Sequence, residues 1–206
     1  MDLMSLLKDQ LTPEMLGQLS QQTGAAPAQT ATAAEGIFST LLGGLAKNAA
    51  GGGAEAILGA LNKNHSGGEG GGMGDIMGMV MGAMAGGGSP ATNGAGILGH
   101  ILGGQQQGAA QVISQASGVQ QSGVADMMVK LAPLVMGVLG QQNQQQGGMN
   151  ASGLASMLGG AVQTQNSNPL MQLATQFLDK DRDGSMVDDL MGMVGSRLLG
   201  GMFGGK

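Results

Sequence analysis

The chain has 206 residues, with 42 glycines, 18 methionines, three phenylalanines and no tryptophan, tyrosine or cysteine, which excludes disulfides, thiolate metal sites and a large aromatic core. A net charge of −5 with only eight scattered Lys and Arg lacks the basic footprint that neutralises phosphates, so nucleic acid is excluded as a partner. The core this composition allows is small and aliphatic, filled by Ala, Leu and flexible Met; each helix-interior Gly costs roughly 1 kcal/mol relative to Ala, so loose packing and modest stability are expected.

In chain order, the first segment, Leu3, Met4, Leu6 and Leu7 beside Asp2 and Asp9, has acidic residues where a secretory leader needs basic ones and too short an apolar run, which points to the cytoplasm. Thr12, Pro13 and Glu14 then read as an N-cap, a proline in the first turn and an acid on the positive end of a helix that Gly24 stops. An apolar segment with spacing near three and four surrounds Ile37, Leu41 and Leu45. Gly51, Gly52 and Gly53 lack the Lys-Ser/Thr of a phosphate loop and read as a linker, and residues 65–72 read as a flexible loop. Residues 73–84 are rich in Met, with Gly74, Gly78 and Gly82 four apart, a spacing that lets helices approach closely.

After a Gly/Ser/Pro stretch at 86–94, Ser122 is a candidate cap for a helix from Gly123 to about Gln141, with Pro133 expected to kink it or mark a fresh start. The polar run 141–148 reads as a loop. The longest apolar run, 131–139, is less than half of the roughly 20 residues a spanning helix needs, so no transmembrane segment is predicted. Strand signals are missing, and the fold class is all-α.

Sliding the chain by 94 residues lays Leu19, Ser20, Gln21 and Gly24 over Ile113, Ser114, Gln115 and Gly118. The match continues with Ile37 on Leu131, Leu41 on Val135 and Leu45 on Leu139, and upstream with Leu3, Met4 and Leu7 on Ile97, Leu98 and Ile101. Further on, Ile57 and Leu58 meet Met157 and Leu158, and Asp75 and Ile76 meet Asp189 and Leu190. Biased composition produces scattered matches, whereas these keep their order along the chain. The reading is two tandem copies of a short-helix unit with flexible Gly/Gln-rich loops: 1–85, a linker at 86–94, and 95–206.

The sharpest chemical signal is the acidic D-x-D-x-D-G loop at 179–189, between apolar segments 170–178 and 190–199. Asp179, Asp181 and Asp183 stand at positions one, three and five of a calcium loop, Gly184 at six permits the turn, and Ser185 at seven offers a carbonyl. The bidentate Glu of a full EF-hand is replaced by Leu190 at twelve, so Asp188 or Asp189 must close the site. Calcium is the expected ion, ahead of magnesium. The competing reading is a solvated turn in which Asp188 and Asp189 complement a helix N-terminus. The first copy has Asn62, Asn64 and Ser66 in place of the three Asp, an empty counterpart, so one site per chain is expected.

His65 and His100 have no acid or nucleophile at triad or metal spacing, and His100, between Leu98 and Ile101, reads as a packed or boundary side chain. No catalytic constellation or small-molecule substrate is identified, and an enzyme is not predicted. The Met-rich segments read as core filling, with a protein partner or self-association as the alternative use. Peripheral association with a membrane or the envelope through Met and Leu faces is the rival function.

Three stretches, Gly96-Ile97-Leu98-Gly99-His100-Ile101-Leu102-Gly103-Gly104, Ser114-Gln115-Ala116-Ser117-Gly118 and Leu131-Ala132-Pro133-Leu134-Val135-Met136-Gly137, resemble the bacterial domain-of-unknown-function family 937. The acidic loop followed by a Leu- and Met-rich tail is similar to that family's C-terminal end. The resemblance implies a compact helical bacterial protein and carries no activity or functional residue with it. The reading as a whole is a non-enzymatic binding or structural module with a calcium loop in its second copy.

Overall fold

The computed structural model describes residues 3–63 and 94–164, and among the described residues there is no strand. The first elements are α1 (Leu3–Gln10), α2 (Pro13–Thr23), α3 (Pro27–Asn48), a single wide π-type turn (Ala49–Gly53) and α4 (Ala54–Lys63). The later ones are α5 (Gly94–Leu102), a 3₁₀ turn (Gly103–Gln105), α6 (Gln106–Ser117), α7 (Gln121–Gln145) and α8 (Ala151–Thr164).

Local chemistry sets several ends. The Thr12 Oγ1 accepts the Met15 N–H at 3.3 Å and Pro13 opens α2, since proline gives up no helical hydrogen bond there. Gly24 ends the helix at φ +66°, a left-handed conformation that costs other L residues about 1 kcal/mol. Pro27 opens α3 in the same way, and the Gln29 side chain accepts the Ala26 N–H at 3.1 Å. Asn150 caps α8, its Oδ1 accepting the Gly153 N–H at 2.8 Å.

The long helices α3 and α7 form the centre. They pack on each other, and α1 and α5 each touch both of them. Helices α2 and α6 also lie against the central pair, while α4 and α8 pack together. Every residue from Gly36 to Ala46 of α3 is buried, which is why its sequence is apolar almost all round. Leu7, Leu41, Leu42 and Leu139 are sealed from solvent, each contributing about 1.5–3 kcal/mol of transfer free energy.

Two glycines allow close approach. A Cβ on Gly44 would lie 2.8 Å from Ile101 Cγ2 and 3.2 Å from the Ile101 carbonyl oxygen, so α5 sits directly on the α3 backbone. A Cβ on Gly94 would lie only 1.7 Å from the Val129 carbonyl oxygen. That carbonyl is the one whose helical donor is missing, because the residue four further on is Pro133. It meets the first turn of α5, where N–H groups lack intrahelical acceptors.

This docking accounts for a departure from expectation. Pro133 neither ends nor restarts the helix: α7 is one element from Gln121 to Gln145. It starts earlier than Gly123, after Gln120, with no side-chain cap from Ser122. Gln141 to Gln145, expected in a loop, are its last helical residues. Asn143 explains the extension: it is 5% exposed, and its Oδ1 accepts the Met149 N–H at 2.6 Å while its carbonyl accepts the Gly148 N–H at 2.9 Å.

Hydrogen bonds recur at the 94-residue offset. Ser20 Oγ donates to the Ala25 carbonyl at 2.5 Å, and Ser114 Oγ to the Val119 carbonyl at 2.6 Å. Thr23 Oγ1 donates to the Leu19 carbonyl at 2.8 Å, and Ser117 Oγ to the Ile113 carbonyl at 2.7 Å. Gly24 and Gly118 take φ of +66° and +75° at the ends of α2 and α6.

Candidate functional site

The predicted cation ligands Asp179, Asp181, Asp183, Ser185, Asp188 and Asp189 lie outside the described residues. Of the neutral counterpart in the first half, Asn62 falls in the last turn of α4, while Asn64, His65 and Ser66 lie outside the described residues. The Met-rich segments 73–84 and 186–202 and the Gly74, Gly78 and Gly82 spacing also lie outside them.

Among the described residues no three His, Asp or Glu side chains converge as a metal site requires. Asp9, Glu14, Glu55 and Asp126 are exposed. Glu35 pairs with Lys8 at 2.7 Å, but at 46% and 35% side-chain exposure for Lys8 and Glu35 this pair contributes no more than about 1 kcal/mol. Lys130 donates to Gln22 Oε1. His100 is exposed rather than packed, because it falls on the outer face of α5, and its carbonyl accepts the Asn48 Nδ2 at 2.9 Å.

One feature of the described bundle has the shape of a site. A crevice of about 240 Å³ opens where α1, the end of α7 and α8 meet. Leu3 and Leu6 form its α1 wall, and Gln142 and Gln146 come from the last turns of α7. The α8 side consists of Met157, Gly160, Ala161 and Thr164. None of these groups titrates, so the crevice is suited to holding an uncharged molecule and offers no acid, base or nucleophile beyond a threonine hydroxyl. Sequence reasoning did not find it. The available signal was a difference between aligned segments, Gly160-Ala161 against Ala60-Leu61, which removes bulk from one helix face.

Helix α7 is long and apolar enough to cross a bilayer, but 72% of its most apolar stretch is buried inside the bundle. It serves as a core helix here, and no clear transmembrane span is shown among the described residues.

No curated protein and no solved structure matches the chain. A family model described as bacterial protein of unknown function (DUF937) matches residues 5–142, which covers α2 to α6 and most of α1 and α7. The all-helical bundle and this match over more than half of the sequence place the chain in one family: it belongs to the DUF937 bacterial proteins of unknown function.

Proposed function

We propose that this protein is a non-enzymatic, cytoplasmic binding or structural module made of two tandem copies of one helical unit, the second of which carries a calcium-binding loop. The observation that carries the functional part is the run Asp179-Lys180-Asp181-Arg182-Asp183-Gly184-Ser185. Three alternate carboxylates in seven residues repel one another unless a hard cation or a helix N-terminus offsets them, and Gly at the sixth position suits the turn of a calcium loop. Asp188 or Asp189 supplies the closing oxygen. Lys180 and Arg182 stand at even positions, outside the alternating ligand register. Magnesium, which demands a more rigid octahedral shell, is the poorer fit.

The duplication is supported by the recurrence, 94 residues apart, of the Ser20/Ser114 and Thr23/Ser117 hydrogen bonds and of the left-handed Gly24 and Gly118. Side-chain sizes support it too. Ala33 and Ala34 correspond to Met127 and Met128, and Phe38 corresponds to Ala132, all of them buried. Small residues in one unit thus stand where the other has large ones, as two facing surfaces that fill each other's space would require. The non-enzymatic reading draws on the uncharged crevice and on the exposed positions of most ionisable side chains.

The test is thermal unfolding of the full chain in calcium and in EDTA, with Asp181→Asn combined with Asp183→Asn as the control. An ion present at 100 times its Kd adds about 2.7 kcal/mol, a rise of roughly 5–10 °C for a chain of this size. If the ion only clips the loop, the rise comes without a change in self-association; if it exposes a surface, the oligomeric state changes as well. Equal melting in calcium and EDTA for the parent protein refutes the site.

A further inference from the structure

The positions that line the crevice between α1, α7 and α8 have sequence counterparts in the other half of the chain, where α5 lies directly on the α3 backbone at Gly44. On the two-copy reading, on which this comparison rests, Leu6 corresponds to His100, Gln142 to Asn48 and Val138 to Gly44. Gly44 lets α5 settle on the α3 backbone, with the Ile101 Cγ2 only 2.8 Å from where a Cβ would be. Asn48 Nδ2 then reaches across to the His100 carbonyl at 2.9 Å. Leu61 of α4, at the position corresponding to Ala161, is 2% exposed. In the open half Val138 occupies the place of Gly44, while Ala161 and Gly160 of α8 replace Leu61 and Ala60. The crevice therefore lies where the two halves of the sequence differ in side-chain bulk.

We infer that this crevice is a binding site for a small, uncharged molecule with an acyl chain and an amide head. Its volume of about 240 Å³ holds roughly ten non-hydrogen atoms, taking about 25–30 Å³ for each, near the share of a water molecule in the liquid. Leu3, Leu6 and Met157 offer an apolar wall on which Met adapts to the shape of the chain. Gln142 and Gln146 sit at the α7 end, and each primary amide both donates and accepts, which is the complement of another amide. A carboxylate or ammonium head would find no opposite charge in this lining, so any loss of its water there is offset only by the neutral amides.

The probe is octanamide, with octanoate and octylammonium as charged analogues, titrated into the full chain while the Met157 methyl resonance is followed by NMR. Octanamide shifts that resonance saturably, with a Kd on the order of 1 mM as expected for a ligand of this size, and the two charged analogues bind at least about tenfold more weakly. Gly160→Leu closes the site without disturbing the core, because a Cβ at Gly160 meets no atom within 4 Å. It removes the saturable shift while the protein melts at or above the parent temperature. Gln142→Leu weakens octanamide and narrows its advantage over the charged analogues. No saturable response at about ten times the expected Kd, equal binding of octanoate, or binding unchanged by Gly160→Leu overturns the proposal. None of these readouts depends on calcium, so the crevice and the acidic loop fail or stand separately.

Discussion

Replacing Gly44 by alanine tests the packing of the bundle at its tightest point. The new methyl would lie 2.8 Å from Ile101 Cγ2, 3.0 Å from Leu102 Cδ2 and 3.2 Å from the Ile101 carbonyl oxygen. The two side chains can rotate away, but the carbonyl is fixed in the α5 backbone, so α5 must move off α3. Overpacking of this kind costs about 1–3 kcal/mol, against which the better helix propensity of alanine returns up to about 1 kcal/mol. With a fixed carbonyl in the way the cost falls at the upper end, about 2–3 kcal/mol, so the net loss is about 1–2 kcal/mol, or roughly 2–8 °C in melting temperature for a chain of this length. Gly59→Ala and Gly160→Ala supply the comparison, because a Cβ at either position meets nothing within 4 Å. Both should gain up to about 1 kcal/mol and melt higher than the parent. Thermal unfolding followed by circular dichroism at constant protein concentration reads all three. A Gly44→Ala variant that melts at or above the parent would refute the claim that α5 rests on the α3 backbone.

Two further substitutions probe other parts of the account. Ser39 is fully buried, and among the described residues its hydroxyl has no partner, so Ser39→Ala should stabilise the protein by about 1 kcal/mol in urea unfolding; a loss of that size would mean the hydroxyl is hydrogen-bonded in solution. Gly24→Ala and Gly118→Ala force the same left-handed conformation on a side chain, at φ +66° and +75°, and should each lose about 1 kcal/mol. A clear loss at one glycine and none at the other would count against the equivalence of the two units.

Local signals were the most legible part of this sequence. Thr12, Pro13 and Gly24 act through their own backbone neighbourhood, so their pattern specifies the bounds of α2 wherever the helix packs. The proposed duplication rests on local signals of the same kind, since Ser20 and Ser114 each bond a carbonyl five residues away. Features that depend on a distant partner were not. The Gln-rich run was read as a loop because Gln141 and its neighbours have no apolar periodicity, yet Asn143 in its midst is buried and holds the turn that follows. Pro133 does not mark a fresh start, one of the two outcomes expected of it, and the Val129 carbonyl it leaves without a helical donor meets the start of α5, a contact between residues far apart in sequence. His100 was expected at a packed or boundary position and is exposed, since Leu98, Ile101 and Leu102 take the inner face of α5. The crevice needed knowledge of which helices meet. Only then does the loss of bulk at Gly160 and Ala161 translate into space.

The central functional claim is a single cation site on the second unit, and calorimetric titration of calcium into the full chain addresses it most directly. One ion per chain is expected in the parent, none in Asp181→Asn with Asp183→Asn, and weaker heat with magnesium, because Asn62, Asn64 and Ser66 leave the first unit without the three carboxylates. No binding heat at millimolar calcium, or a stoichiometry of two that survives the double substitution, would contradict it.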